Sequence, residues 1–94
     1  IFVEILKDVT FRVAPVSADQ SFKMLEEIKA GAILAGARGE APRDRRALAE
    51  VLSRYSQMIT DLSDEIAESD ANPVLVYAEG QGAKVVDARI ILKK

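Results

Sequence analysis

There is no cysteine and no histidine anywhere in the 94 residues. The first absence excludes disulfides and thiolate-bound metal. The second removes the commonest acid–base side chain and nitrogen ligand. Any chemistry on this chain must therefore use carboxylates, carboxamides, Lys and Arg. Aromatic residues make up only 5%, so Leu, Ile, Val and Ala must fill the interior. No apolar run is long enough to cross a bilayer and no signal peptide is visible, so no membrane role is expected and the cytoplasm is the expected compartment. Nor is there a basic excess. A net charge of -2 argues against a general nucleic-acid binder, whose binding face should be positive.

What is present suits one small soluble domain with a single core. The hydrophobic share is 49% and the charged share 30%, ordinary values for a globular chain. The chain opens at Ile1 without a methionine, which suggests a piece of a longer protein.

Ile1 to Leu6 is apolar apart from Glu4 and reads as a buried strand. After a turn at Lys7-Asp8, Val9, Phe11 and Val13 alternate with Thr10 and Arg12, predicting a half-buried strand that ends at Pro15. The two strands are expected to form a hairpin with Thr10 and Arg12 on its open face. Ser17 with Gln20 three residues on has capping-box spacing and starts a helix carrying Phe22, Leu25 and Ile28. Gly31 is its expected stop. Residues 32–42 read as irregular, with Ile33 and Leu34 tucked beneath the helices. Asp44 is the predicted N-cap of a longer helix, where Leu48, Val51, Leu52, Tyr55, Met58, Ile59 and Leu62 recur at three- and four-residue steps. Arg43, Arg45 and Arg46 crowd its start; they suit a phosphate or a neighbouring domain, or form a solvated cluster offset by Asp44 and Glu50.

A third strand is predicted from about Ile66, interrupted by Pro73 before Val74 to Tyr77. Within it Glu68, Asp70 and Asn72 fall on one face. Residues 79–82 form a glycine-containing loop without the length, lysine or Ser/Thr of a phosphate-binding P-loop. Val85 to Leu92 reads as one last strand, with Val86, Ala88, Ile90 and Leu92 toward the helices and Asp87 and Arg89 away from them. The sum is an α+β fold: a two-layer sandwich whose mostly antiparallel four-stranded sheet (ββααββ) carries two helices on one face. Two carboxylates and a carboxamide on one strand, with Asp87 on the next, offer hard oxygen ligands of the kind Mg²⁺ prefers. The same pattern is also that of a solvated sheet face.

Residues 1–9, then Arg38-Gly39, then Asp70-Ala71-Asn72-Pro73, then Val86-Asp87-Ala88-Arg89-Ile90 resemble the C-terminal ATP-grasp subdomain of ADP-forming (NDP-forming) acyl-CoA synthetases. The arrangement is similar to that of the succinyl-CoA synthetase beta chain, and the likeness runs through essentially the whole chain. It implies part of an acid–thiol ligase using Mg²⁺ and ATP/ADP, with phosphoryl transfer between nucleotide and a phosphoenzyme. It implies Asn72 and Asp87 as metal ligands, Asp70 sharing or orienting the metal, and Arg38 at nucleotide or phosphate. The implied partners are a missing N-terminal ATP-grasp subdomain and a CoA-binding domain or subunit, an oligomer being compatible; the 94 residues alone are expected to be inactive. A departure is the small Ser69 and Ala71 where the family carries large aliphatics, predicting an underfilled inner face costing about a kcal/mol. Two alternatives remain: a ligand-sensing ATP-grasp region fused to a protein acetyltransferase, and a non-catalytic α+β interaction module.

Overall fold

The computed structural model describes residues 7–94, with Arg38 described by its backbone alone; the predicted strand at residues 1–6 lies outside the described residues. Helix α1 spans Ala18–Glu27, α2 Gly31–Leu34 and α3 Arg45–Asp61, with a 3-10 turn at Ala37–Gly39 between the last two. Four strands follow: β1 Ile66–Ala71, β2 Val74–Val76, β3 Ala83–Val85 and β4 Ala88–Leu92.

The capping chemistry is realised at both long helices. Ser17 Oγ accepts from Gln20 N at 3.1 Å while Gln20 Oε1 accepts from Ser17 N at 2.8 Å, so two orphan amides of α1 are satisfied reciprocally. Asp44 caps α3 by accepting from Ala47 N at 3.1 Å. Its second carboxylate oxygen accepts from Gly82 N at 2.7 Å, tying the helix start to the loop between β2 and β3. The backbone repeats this tie, because Asp44 N donates to Tyr77 O at 2.8 Å and Glu79 N to Pro42 O at 3.0 Å.

Helices α1 and α3 pack against each other around Ser21, Leu25, Ala49 and Ser56, all buried. The segment before α1 is pinned to α3 through Val16, whose N–H donates to Ser56 Oγ at 2.9 Å and whose carbonyl accepts from Ser53 Oγ at 2.8 Å. Gly31 does not stop α1, which already ends at Glu27; it opens the short α2. A Cβ at Gly31 would sit 2.2 Å from the Leu25 carbonyl oxygen, so the residue is needed for close approach. Ile33 is 67% exposed rather than tucked under the helices.

The segment before α1 also turns the other way from expectation. No strand forms over residues 8–13 among the described residues. Thr10 Oγ1 donates to Glu27 Oε1 at 2.6 Å and Arg12 pairs with the other Glu27 oxygen, while Asp8 accepts from Ala30 N at 3.0 Å. The polar side chains thus face the helix, leaving Phe11 80% and Val13 91% exposed. Alternation determines that two sides differ; it does not say which side meets the helix.

The strands form two antiparallel ladders. In the first, β1 pairs with β4, with Ser69 opposite Ile90, Asp70 opposite Arg89 and Ala71 opposite Ala88; in the second, β2 pairs with β3, with Val74 opposite Val85 and Val76 opposite Ala83. The single last strand predicted over Val85 to Leu92 is therefore broken at Val86-Asp87. The cause lies across the hairpin, where Pro73 has no N–H to give the ladder. Two backbone bonds bridge the gap, Asn72 N to Asp87 O at 2.9 Å and Val86 N to Pro73 O at 3.0 Å.

Candidate functional site

Asn72 and Asp87 lie across this break, joined by a backbone bond, and Asp70 stands two residues before Asn72 on β1. Asp70 stands near the end of β1, facing away from the helices, with its Oδ2 3.5 Å from Nε of Arg89 on β4. Both side chains are more than half exposed, so the pair is weak in energy and serves mainly to orient. Asn72 lies just beyond β1, and its backbone N–H is held by the Asp87 carbonyl. Asp87 folds one carboxylate oxygen back to accept from Ala88 N at 2.9 Å, and among the described residues its other oxygen has no hydrogen-bond partner. Asp87 reaches the site from the interruption between β3 and β4, not from a strand face as its parity suggested. Glu68 shares the outward side of β1 with Asp70, beyond a register shift between Ile66 and Glu68.

The donor set suits a hard cation in chemistry: two carboxylates and a carboxamide oxygen, without nitrogen or sulfur competitors. It does not form a closed protein cage, since among the described residues no three His, Cys, Asp or Glu side chains are grouped to hold a metal. That openness fits Mg²⁺, which keeps several waters and takes further ligands from substrate phosphates.

Behind the site, the inner side of β1 is filled in two different ways. The Tyr55 hydroxyl of α3 is hydrogen-bonded to the Ser69 hydroxyl, and Ser69 Oγ donates to the Arg89 carbonyl at 2.8 Å. A phenol therefore occupies the space that a small serine leaves. Beside it, Ala71 lines an apolar cavity of about 210 Å³ with Leu25, Leu48, Val51, Leu52, Tyr55 and Val74. The expected underfilling is thus present at Ala71 and compensated at Ser69. The sequence reading placed Tyr55 only in an apolar stripe and missed this link. The available signal was the phenol itself, whose hydroxyl needs a partner when the ring is packed.

The backbone of Arg38 lies in the 3-10 turn, and that connector is held to the chain by Arg43 N donating to Leu34 O at 2.8 Å. Gly36, at φ 98°, opens the turn; a Cβ there would lie 2.8 Å from Glu40 O. The arginines at the start of α3 are arranged around an aromatic ring. The guanidinium carbons of Arg45 and Arg46 stand 5.1 and 4.3 Å from the centroid of Phe22, and Arg46 approaches Asp19 at 3.8 Å. The acids expected to offset them are engaged elsewhere, Asp44 by backbone amides and Glu50 by Arg54 at 3.8 Å.

The family profile of the ATP-grasp domain matches residues 1–92. The chain belongs to the ATP-grasp family. It is 59% identical over 93 residues to the beta subunit of an ADP-forming acetate–CoA ligase II from Pyrococcus furiosus, covering 99% of this chain and 39% of that one. A crystal structure of a Pyrococcus horikoshii protein superimposes with a TM-score of 0.90 at 54% identity, over 99% of this chain and 39% of that chain. The dinucleotide-forming acetyl-coenzyme A synthetase 1 of Ca. Korarchaeum cryptofilum gives a TM-score of 0.87 at 47% identity, over 99% of this chain and 42% of that chain. That synthetase was solved with coenzyme A and Mg-AMPPCP, its phosphohistidine segment pointing towards the nucleotide binding site. The ATP-grasp chain described here therefore spans about two fifths of the length of these relatives. No helix among the described residues is long and apolar enough to cross a membrane.

Proposed function

We propose that this chain is the second ATP-grasp subdomain of an ADP-forming acyl-CoA synthetase. Its first subdomain and a CoA-binding domain or subunit would lie in the remainder of the enzyme. In that setting the two ladders belong to one antiparallel sheet with α1 and α3 on one face.

Asn72 and Asp87 are the residues we assign to Mg²⁺, with Asp70 beside them and Arg89 orienting Asp70. Magnesium at such a position neutralises phosphate charge while a phosphoryl group passes between nucleotide and enzyme. Asp87 has a second carboxylate oxygen without a partner among the described residues, and the Asn72–Asp87 backbone bond keeps the two residues side by side. Arg38, on a turn opened by Gly36, is assigned to nucleotide or phosphate, for which a guanidinium has both charge and geometry.

The observation that carries this reading is the backbone arrangement that puts Asn72 and Asp87 across one break of the hairpin, with Asp70 two residues before Asn72. It does so in a chain 59% identical to an ADP-forming ligase subunit. Asp87→Asn in the intact enzyme should lower acid- and CoA-dependent ADP formation at least roughly a hundredfold, as expected for loss of a charge that acts on the transferring phosphoryl group. A coupled assay at saturating magnesium measures it. Turnover equal to that of the parent would overturn the assignment.

A further inference from the structure

We infer that Tyr55 and Ser69 are positioning residues that hold the carboxylate-bearing end of β1 at a set height above helix α3. The inference rests on the reading of Asp70, Asn72 and Asp87 as the metal-facing set, and extends it to residues on the opposite side of the strand.

The direction of the hydrogen bonds follows from counting protons. A serine hydroxyl has one proton to donate, and that of Ser69 goes to the Arg89 carbonyl at 2.8 Å. The Tyr55 hydroxyl must then be the donor to Ser69 Oγ. The chain runs from α3 through Ser69 of β1 to the backbone of β4. It ends on Arg89, the residue paired with Asp70 in both ladder register and ion pair. One relay therefore touches the residue before Asp70 and the backbone of the residue that orients Asp70.

Its position makes it more than a packing contact. Among the described residues, this is the side-chain hydrogen bond that joins α3 to the β1–β4 ladder. Among the described residues apolar packing beside it is thin, because the neighbouring inner residue is Ala71, which borders a cavity, and the buried Ile66 lies at the far end of the strand. On the outer side Asp70 is more than half exposed, and among the described residues Arg89 is the group that restrains it. Cutting the relay frees β1 to rock over the cavity, and any such motion moves Asp70 relative to Asn72 and Asp87 just beyond the strand.

The test uses the intact enzyme and reads metal binding directly. Mn²⁺ is titrated by electron paramagnetic resonance in the presence of a non-hydrolysable ATP analogue, at a temperature where every variant is folded. Tyr55→Phe should weaken Mn²⁺ binding by roughly three- to tenfold, the equilibrium equivalent of one lost hydrogen bond, and Ser69→Ala, which removes both bonds of the relay, by at least as much. The double variant should be no weaker than Ser69→Ala alone, since that substitution already removes both bonds of the relay. Ser69→Thr, which keeps a hydroxyl, should bind Mn²⁺ like the parent. Asp87→Asn separates the two ideas. If it abolishes Mn²⁺ binding while Tyr55→Phe and Ser69→Ala bind like the parent, the positioning role is overturned and the metal site stands. If Asp87→Asn binds Mn²⁺ like the parent, the metal-site reading fails and the positioning role falls with it. Altered melting temperature with unchanged Mn²⁺ affinity makes the relay a folding contact only, and likewise overturns the inference.

Discussion

At the scale of single residues, the helix pair contains a hydroxyl that finds no partner. Ser21 is fully buried between α1 and α3, and among the described residues its Oγ makes no hydrogen bond. A buried unsatisfied hydroxyl costs desolvation without return, and alanine is the better helix former. Ser21→Ala should therefore raise stability by about 1 kcal/mol, read as a higher urea midpoint of the intact subunit with an unchanged slope. A lower midpoint would mean that the hydroxyl has a partner in solution. The contrast with Ser69 is instructive, because both serines occur where a larger apolar residue would look natural. Nothing in their sequence neighbourhoods distinguishes the isolated one from the one that a tyrosine fourteen positions earlier reaches.

At the scale of elements, Asp44 joins the start of α3 to the tip of the β2–β3 hairpin. Backbone N–H groups, first that of Ala47 and then that of Gly82, hold its carboxyl below the usual carboxylate range. A carboxyl lowered in the folded state contributes stability that is complete above its unfolded value, about pH 4. That contribution is lost as pH falls through the lower native value. Glu27, lowered by hydrogen bonds from Arg12 and then Thr10, acts in the same direction. Asp44→Asn keeps an oxygen for Ala47 but cannot accept a charge-assisted bond from Gly82 at the same time. The variant should be less stable than the parent at pH 7, and the difference should shrink as the pH is lowered toward 3. Urea midpoints across that range measure it, and a difference independent of pH would contradict it. Both long-helix starts were legible, since Ser17–Gln20 and Asp44 are local signals acting over three residues. The end of α1 and the break at Val86-Asp87 were not. The first depends on α2 approaching Leu25, and the second on a proline in the opposing strand.

At the scale of the whole molecule, the described chain measures 48 × 29 × 22 Å, long for its size. Its buried apolar residues reduce to Val16, Leu25, Ala49 and Ile66, while Phe11, Val13, Ile33, Val86, Ile90 and Leu92 stand exposed. In the proposed enzyme this apolar surface is what the remainder of the subunit would cover. The 94 residues expressed alone should associate with rising concentration and bind a hydrophobic dye, whereas the full-length subunit should do neither. Light scattering after size exclusion separates the outcomes, and a monodisperse monomer free of dye would refute the expectation. The α+β class, the helix starts and the strand at Ile66 were determined by the sequence itself, because each rests on periodicity or on contacts within a few positions. The tertiary structure alone decided that Thr10 and Arg12 face Glu27, that Asp87 lies at a break, and that Tyr55 stands behind Asp70. Those outcomes depend on which distant groups meet across the helix pair and the hairpin, and a one-dimensional pattern does not contain that geometry.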